Sequence, residues 1–377
     1  MAAIGHTALG AWSGGTHMHY GEPLPEERLR ALLRPGCDVH TVITADVYGE
    51  GAADSLIGSS LAGLGREDYA LVGAIGHDFY EGQRDGPRGY PRFTDPRLRS
   101  ESGYADYLRM ACERSLERCG VDHFDLLMLH NPDRIGYTSQ VVWDALAGLR
   151  EAGLAQQIGV APGPANGFTL DVIDCLERFG DEIDWTMLIL NPFEPWPARL
   201  ALPACEKHGV KVIARVVDYG GLFHDDIPDE DSLHELDHRR YRPAGWVEVA
   251  RAQMERVRPF AEAHGLTPLQ LACQWTLAQP AVACVVPTLI QEPGAGAKSV
   301  ETKRAELAAL PREIVLSDEE LQAIEAIGEN AGCMLLKGAS PTHEGDERPD
   351  AWPMNAGLVE VADRWGIAPD RDLVKTM

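Results

Sequence analysis

A tyrosine and two histidines, each at the end of a short apolar run, are the residues whose types are best suited to moving a proton. Tyr48 closes VITADVY, His130 closes LLMLH, and His77 follows LVGAIG. A phenol beside an imidazole can protonate a carbonyl oxygen or shuttle a proton at a neighbouring carbon. Other polar groups stand at the ends of comparable runs: Trp12, Asp46, Asp78, Asn131, Glu194, Arg215, Asp218 and His224. They read as substrate-binding candidates. His17-x-His19 followed by Glu22 adds nitrogen and oxygen ligands, so a divalent metal such as Zn or Mn is a possible reading. Such a pair in a glycine-rich loop is a weak signal. Arg84, Arg88, Arg92 and Arg97 lie in a stretch rich in Gly, Pro and aromatics. They would either bind an anionic substrate or cofactor phosphate, or pair with an acidic surface.

The elements that must position these groups follow from hydrophobic pattern. Strands are predicted near 7–11, 39–45, 69–76, 124–130, 157–161, 185–191, 210–216 and 282–288. Helical patterns lie between them, as at 104–118, 140–151 and 170–179. Alternating β and α with continuously apolar strands argues for a parallel sheet covered on both faces. Eight such units in this length argue for an α/β chain folded as a (β/α)8 TIM barrel. A Rossmann fold is the alternative, but no strand is followed by GxGxxG. In a barrel the polar groups above share the C-terminal rim, where catalytic groups gather. Two long rim insertions are expected, at 77–102 and 223–242. The barrel is expected to occupy residues 1–328. A segment at 329–377, with Trp352 and Trp365, would pack on the barrel or on a partner subunit.

The chain has 377 residues and a formal net charge of −24. That charge repels phosphate backbones and anionic lipid, so nucleic-acid and membrane-surface partners are not expected. No apolar run approaches the ~18 residues of a membrane span. Eight cysteines without a CxxC pattern read as reduced thiols. A cytoplasmic protein acting on a small molecule, with homo-oligomerisation possible, is the expectation.

VITADVYG and LLMLHNPD resemble motifs of the aldo-keto reductase superfamily. ALGAWSGG is similar to that family's first strand and loop, and the resemblance covers roughly residues 4–328. It implies Tyr48 as proton donor, His130 as the residue orienting the carbonyl, and NADP(H) or NAD(H) as cofactor. RVVDYGGLFHDD resembles the family's pyrophosphate loop, implying Gly220, Gly221 and Leu222 as contacts. Lys298, Lys303 and Arg304 resemble the residues gripping the adenine end. Where the family carries an aspartate and a lysine, this chain has Ile43 and Ile75; Ala161, Pro162 and Leu190 stand where it holds the carboxamide. Apolar replacement of both members of a buried ion pair can be neutral. Tyr48 would then be harder to ionise than a free phenol. Strand alternation puts His77 on the same face as Ile75, so it is a candidate substitute for the lysine. The resemblance implies an NAD(P)-dependent oxidoreductase acting on a polar carbonyl or sugar-like compound. The alternative is a redox-neutral lyase or isomerase using Tyr48, His77 and His130, with or without a metal; a non-enzymatic binding protein is a third reading.

Overall fold

A computed structural model describes residues 2–86, 89–163, 168–328, 330 and 338–373. Eight parallel strands follow one another in chain order around a single sheet. They are β1 (Ala8–Gly10), β2 (Thr41–Ile43), β3 (Ala70–Ile75), β4 (Phe124–His130), β5 (Ala155–Ala161), β6 (Trp185–Ile189), β7 (Lys211–Arg215) and β8 (Val282–Val286). Thr7 pairs in parallel with Val285, and the Val285 N–H donates to the His6 carbonyl at 2.9 Å. The ring is thereby closed as a (β/α)8 barrel.

Two packed layers explain why the strands read as unbroken apolar runs. Ala8, Ile43, Val72, Leu126, Met128, Trp185, Met187, Ile213 and Val286 fill the barrel interior. Their neighbours Leu9, Val42, Leu71, Leu127, Leu188, Val212 and Val285 face the surrounding helices. β1 to β4 and β6 are buried on both sides throughout, and β5, β7 and β8 are open only towards their ends, so period-two alternation is invisible in the sequence.

Ile75 departs from the sequence expectation. It belongs to the outer layer and pairs in register with Leu129, while Ile43 faces inward. The two isoleucines therefore do not flank Tyr48 together. Gly76 follows with φ +147°, a conformation that suits glycine. It resets the alternation, so the direction of His77 cannot be counted from Ile75.

The segment after the barrel docks on it. Strands Gly338–Ser340 and Ala351–Pro353 pair in parallel. Trp352 is fully buried, with its ring 5.5 Å from Phe168 and 6.5 Å from Tyr137. Trp365 Nε1 donates to Glu177 at 3.0 Å. The expected boundary falls where Glu329 and residues 331–337 lie outside the described residues. No helix among the described residues is long and apolar enough to cross a membrane.

Asp171 lies beneath this segment, 3% exposed. The Ala339 N–H and the Trp352 indole face it, but the indole closes no hydrogen bond of normal geometry. Desolvation raises its pKa to about 8. The folded state therefore holds a proton that the unfolded chain releases near pH 4, and this acid opposes folding increasingly as pH rises. Asp171→Asn is expected to gain stability over wild type between pH 5 and 8 and to level off above about 8, read from melting temperature against pH. A constant difference across that range would refute the assignment.

Candidate active site

Tyr48 sits in the turn that follows β2, its N–H donating to the Ala45 carbonyl at 3.0 Å. Its ring meets Trp12 edge-on at 6.4 Å and His130 at 5.7 Å with an 88° interplanar angle. Trp12 lies flat against the chain at Gly10, where a Cβ would sit 2.4 Å from the indole; no larger residue fits under it. The Tyr48 hydroxyl makes no hydrogen bond to any described residue. Desolvation pushes its pKa up to about 12, opposed by the positive charge of Arg215. The phenol is protonated at neutral pH and has a free O–H to offer.

His130 ends β4 and is 8% exposed, with Nδ1 enclosed and without a partner among the described residues. Burial lowers its pKa to about 3, helped by the charges of Arg92 and Arg215. The ring is neutral and has a single N–H. An enclosed N–H without an acceptor costs more than an enclosed lone pair left over. The proton is therefore assigned to Nε2, leaving that nitrogen to donate to a ligand.

His77 stands behind His130, ring centroids 5.0 Å apart. Arg92 Nη1 lies 3.1 Å from its Nδ1, and a guanidinium can only donate, so Nδ1 accepts and Nε2 carries the proton. Nε2 is 3.0 Å from the Asn131 side-chain amide. Two donors cannot face each other, so the Asn131 Oδ1 is assigned to that position. Arg92 Nε also donates to the Asn131 carbonyl, and Asn131 has φ +46°. This chain of contacts holds the His77 ring against that of His130. It does not bring His77 to Tyr48: no hydrogen bond or ring contact joins them among the described residues. The expected stand-in for a lysine is not realised in this geometry.

Burial, then Arg92 and His130, push the His77 pKa well below 6.5. Both imidazoles are thus neutral when folded, whereas the unfolded chain protonates them as pH falls through about 6.5. The unfolded state binds more protons below that point, so their contribution is complete above pH 6.5 and is lost on acidification. His130→Asn is expected to shallow the acid limb of stability between about pH 6.5 and pH 4 by up to one proton's slope, ~1.4 kcal/mol per pH unit, measured by urea unfolding. An unchanged slope would contradict it.

The predicted acids are held elsewhere than at the open mouth. Asp46 is fully buried; the Val47 N–H faces its carboxyl, but neither oxygen closes a hydrogen bond of normal geometry among the described residues. It lies among Asp54, Arg118 and Asp78, and desolvation raises its pKa well above the usual range. Asp78 accepts from the Tyr80 and Glu81 N–H groups at 3.1 and 2.9 Å and pairs with Arg99; it anchors the third loop and forms no dyad with His77. Glu194 pairs with Arg242 at 3.1 Å and accepts from Asn191 at 3.0 Å. Asp218 accepts the Thr288 and Gly221 N–H groups, both at 2.7 Å. His224 Nε2 bonds the Thr288 carbonyl at 2.8 Å, which leaves no free donor on that ring. Arg215 is half-buried and donates from Nη2 to the carbonyls of Gly163 and Pro162, just past β5, at 2.7 and 3.2 Å.

The predicted cofactor set is also partly engaged. Gly220 and Gly221 have φ of +66° and +94°, and Leu222 is buried behind them. A Cβ on Gly221 would meet Glu292 Oε1 and Ile290 Cδ1 at 3.2 Å and Arg239 Nη1 at 3.4 Å, so that side of the turn is filled by the chain itself. Lys303 is fully buried, bonded to the Ile290 carbonyl at 2.6 Å and to Asp226 at 2.8 Å. Arg304 donates to the carbonyls of Ala31 and Arg34. Lys298 pairs with Glu306 at 3.0 Å but keeps 31% of its side chain exposed.

Sequence reading did not single out the buried clasp across the mouth. Arg239 joins Asp237 at 2.8 Å and Glu292 at 2.5 Å, and Asp237 accepts the Gly21 N–H at 3.0 Å. The only sequence signal was a pair of arginines inside a strongly acidic insertion. Among the described residues no three His, Cys, Asp or Glu side chains come together to hold a metal; His19 instead stacks on His238 at 6.0 Å. Arg97 pairs with Asp95, and Arg88 lies outside the described residues.

Residues 8–329 match the model of the Aldo/keto reductase family. An aldo-keto reductase from Bacillus halodurans, solved in its holo form, is 22% identical, with 86% of this chain and 93% of that one covered and a TM-score of 0.60. The glycerol dehydrogenase of Gluconobacter oxydans is 21% identical over 86% of this chain and 92% of that one, at 0.65. A Klebsiella pneumoniae aldo/keto reductase solved with NADP and acetate is 22% identical over 88% and 96%, at 0.58. These likenesses are in fold.

Proposed function

Because the chain belongs to the aldo/keto reductase family, we propose that it is an NAD(P)-dependent oxidoreductase acting on a polar carbonyl compound. The supporting observation is the pair at the mouth: a protonated Tyr48 without a hydrogen-bond partner among the described residues, packed at 5.7 Å on a neutral His130. Tyr48 donates its proton to the carbonyl oxygen as negative charge develops there. His130 Nε2–H donates to the same oxygen and fixes its position. Trp12 covers the site from the side of β1 and excludes water. A nicotinamide held there would supply the hydride.

The residues fit such a nucleotide at its ends better than at its middle. Tyr48 and His130 would border the reactive end; Lys298 and the Ser299 cap of helix Val300–Ala308 would suit an anionic group at the other. Lys303 and Arg304 are engaged within the chain, and the diphosphate would have to pass the Arg239 clasp. That engagement favours a second reading, a redox-neutral isomerase or lyase in which Tyr48 and His130 move protons only.

Incubation with deuterium-labelled NADPH and a panel of aldoses and hydroxyketones separates the two. Label at the carbinol carbon supports hydride transfer. Substrate conversion without nucleotide oxidation supports the second reading and overturns the first.

A further inference from the structure

β5 ends at Ala161 beside His130 and turns through Pro162 and Gly163. Ala161 pairs in register with His130, and the Asn131 N–H donates to its carbonyl at 2.7 Å. None of these three side chains can hydrogen-bond, and proline has no N–H to donate. The turn is therefore held by its carbonyls and by packing. Arg215 supplies one hold, through Nη2 to the carbonyls of Gly163 and Pro162. Phe168 supplies another. A Cβ on Gly163 would lie 2.3 Å from Phe168 Cε2, so the ring is flush against the backbone there.

Phe168 is in turn backed by a residue from the far end of the chain. Trp352 belongs to the segment at 338–373, beyond residues 8–329 matched to the family. Its indole is fully buried and packs at 5.5 Å on Phe168 and at 6.5 Å on Tyr137, two rings that stand 5.8 Å apart. Tyr137 lies in the short helix Arg134–Thr138 that follows β4, its N–H donating to the Asp133 carbonyl at 3.1 Å. One side chain of the C-terminal segment thus joins the loop after β4 to the loop after β5. Aromatic contacts of this kind add to plain area burial, and a close-packed interior passes a displacement from one ring to the next.

We propose that Trp352 is a positioning residue for the mouth. Through Phe168 it holds the turn after β5 against the His130 end of β4. The C-terminal segment thereby shapes one wall of the site without touching the ligand. The consequence for nucleotide binding rests on the oxidoreductase reading; the hold itself does not.

The test is amide hydrogen exchange, read at two bonds between the same pair of strands. The Asn131 N–H, bonded to Ala161, reports the rim end. The Phe124 N–H, bonded to the Leu154 carbonyl at 3.0 Å, reports the opposite end. In full-length Trp352→Leu, exchange at Asn131 is expected to speed up about 10-fold more than at Phe124, the mark of a local opening. Trp352→Phe should show the same selectivity to a lesser degree, and it decides the matter if Trp352→Leu does not fold. Trp365→Leu is the control: it loosens the same segment at Glu177 and should leave the ratio as in wild type. NADPH should bind Trp352→Leu about 10-fold more weakly, because the turn is in place only part of the time. Equal acceleration at both amides, which lost stability alone produces, overturns the inference, as does no acceleration at either. So does a Trp365→Leu protein that behaves like Trp352→Leu, or wild-type NADPH affinity in a variant whose Asn131 amide is freed. Absence of NADPH binding by wild type removes the oxidoreductase reading and leaves the exchange ratio to decide the hold.

Discussion

Tyr48→Phe is expected to lower kcat by about 10²- to 10⁴-fold, the usual span for a positioned general acid. KM should change little, because the lost proton is needed as charge develops in the transition state rather than for substrate binding. The folded state should lose almost nothing. The hydroxyl has no hydrogen-bond partner among the described residues, so its removal leaves no buried group unsatisfied, and stability should stay within about 1 kcal/mol. The phenylalanine ring keeps the edge contacts with Trp12 and His130. The combination is diagnostic: a large fall in kcat with wild-type melting marks a chemical role, whereas parallel losses of both mark a packing role. His130→Asn should lower kcat too, by less, because it draws the orienting donor back on a shorter side chain and leaves the acid.

The largest effect on stability should follow from Arg239→Met. Arg239 is 2% exposed, with its charge divided between Asp237 and Glu292. Removing it leaves two carboxylates without their counter-ion in an enclosed place, and breaking such a pair from one side costs about 3–5 kcal/mol. The effect should be local as well as global. Arg239 also bonds the Gly220 carbonyl at 3.3 Å, and Asp237 holds Gly21, so the loops after β1, β7 and β8 are fastened through one guanidinium. Faster proteolysis within residues 223–242 should accompany the shift in urea midpoint. Adding Glu292→Leu to Arg239→Met should recover part of the loss, since one stranded charge goes with it. A loss under about 1 kcal/mol, which is the worth of an exposed pair, would show that water reaches the clasp.

Much of the fold was legible because its signals are local. Phe124–His130 was bounded to the residue, and helix Gln140–Glu151 likewise, since a dry strand and an amphipathic helix each write their period into adjacent positions. The site was legible only as a set of strand ends. Tyr48 and His130 meet because β2 and β4 end on the same rim. Side-chain direction was lost wherever one backbone angle reset the count, as Gly76 does for His77. Asp46 follows β2 two residues before Tyr48 yet lies among Asp54, Asp78 and Arg118 instead of at the mouth. The ion pairs were not legible at all. Lys303 finds Asp226, and Arg239 finds Glu292, across tens of residues with no periodicity to betray them. A cation that sequence reading assigned to a cofactor can therefore be engaged inside the chain.

The oxidoreductase reading requires a nicotinamide nucleotide to bind with its reactive ring at Tyr48 and His130. Its most direct test is titration of NADPH and of NADH into the wild-type protein, following nucleotide fluorescence and heat together. Saturable one-to-one binding of at least one nucleotide, retained in Tyr48→Phe and weakened in Lys298→Ala, is the predicted result. Absence of binding by both nucleotides would contradict the claim and leave proton transfer without hydride as the chemistry of this mouth.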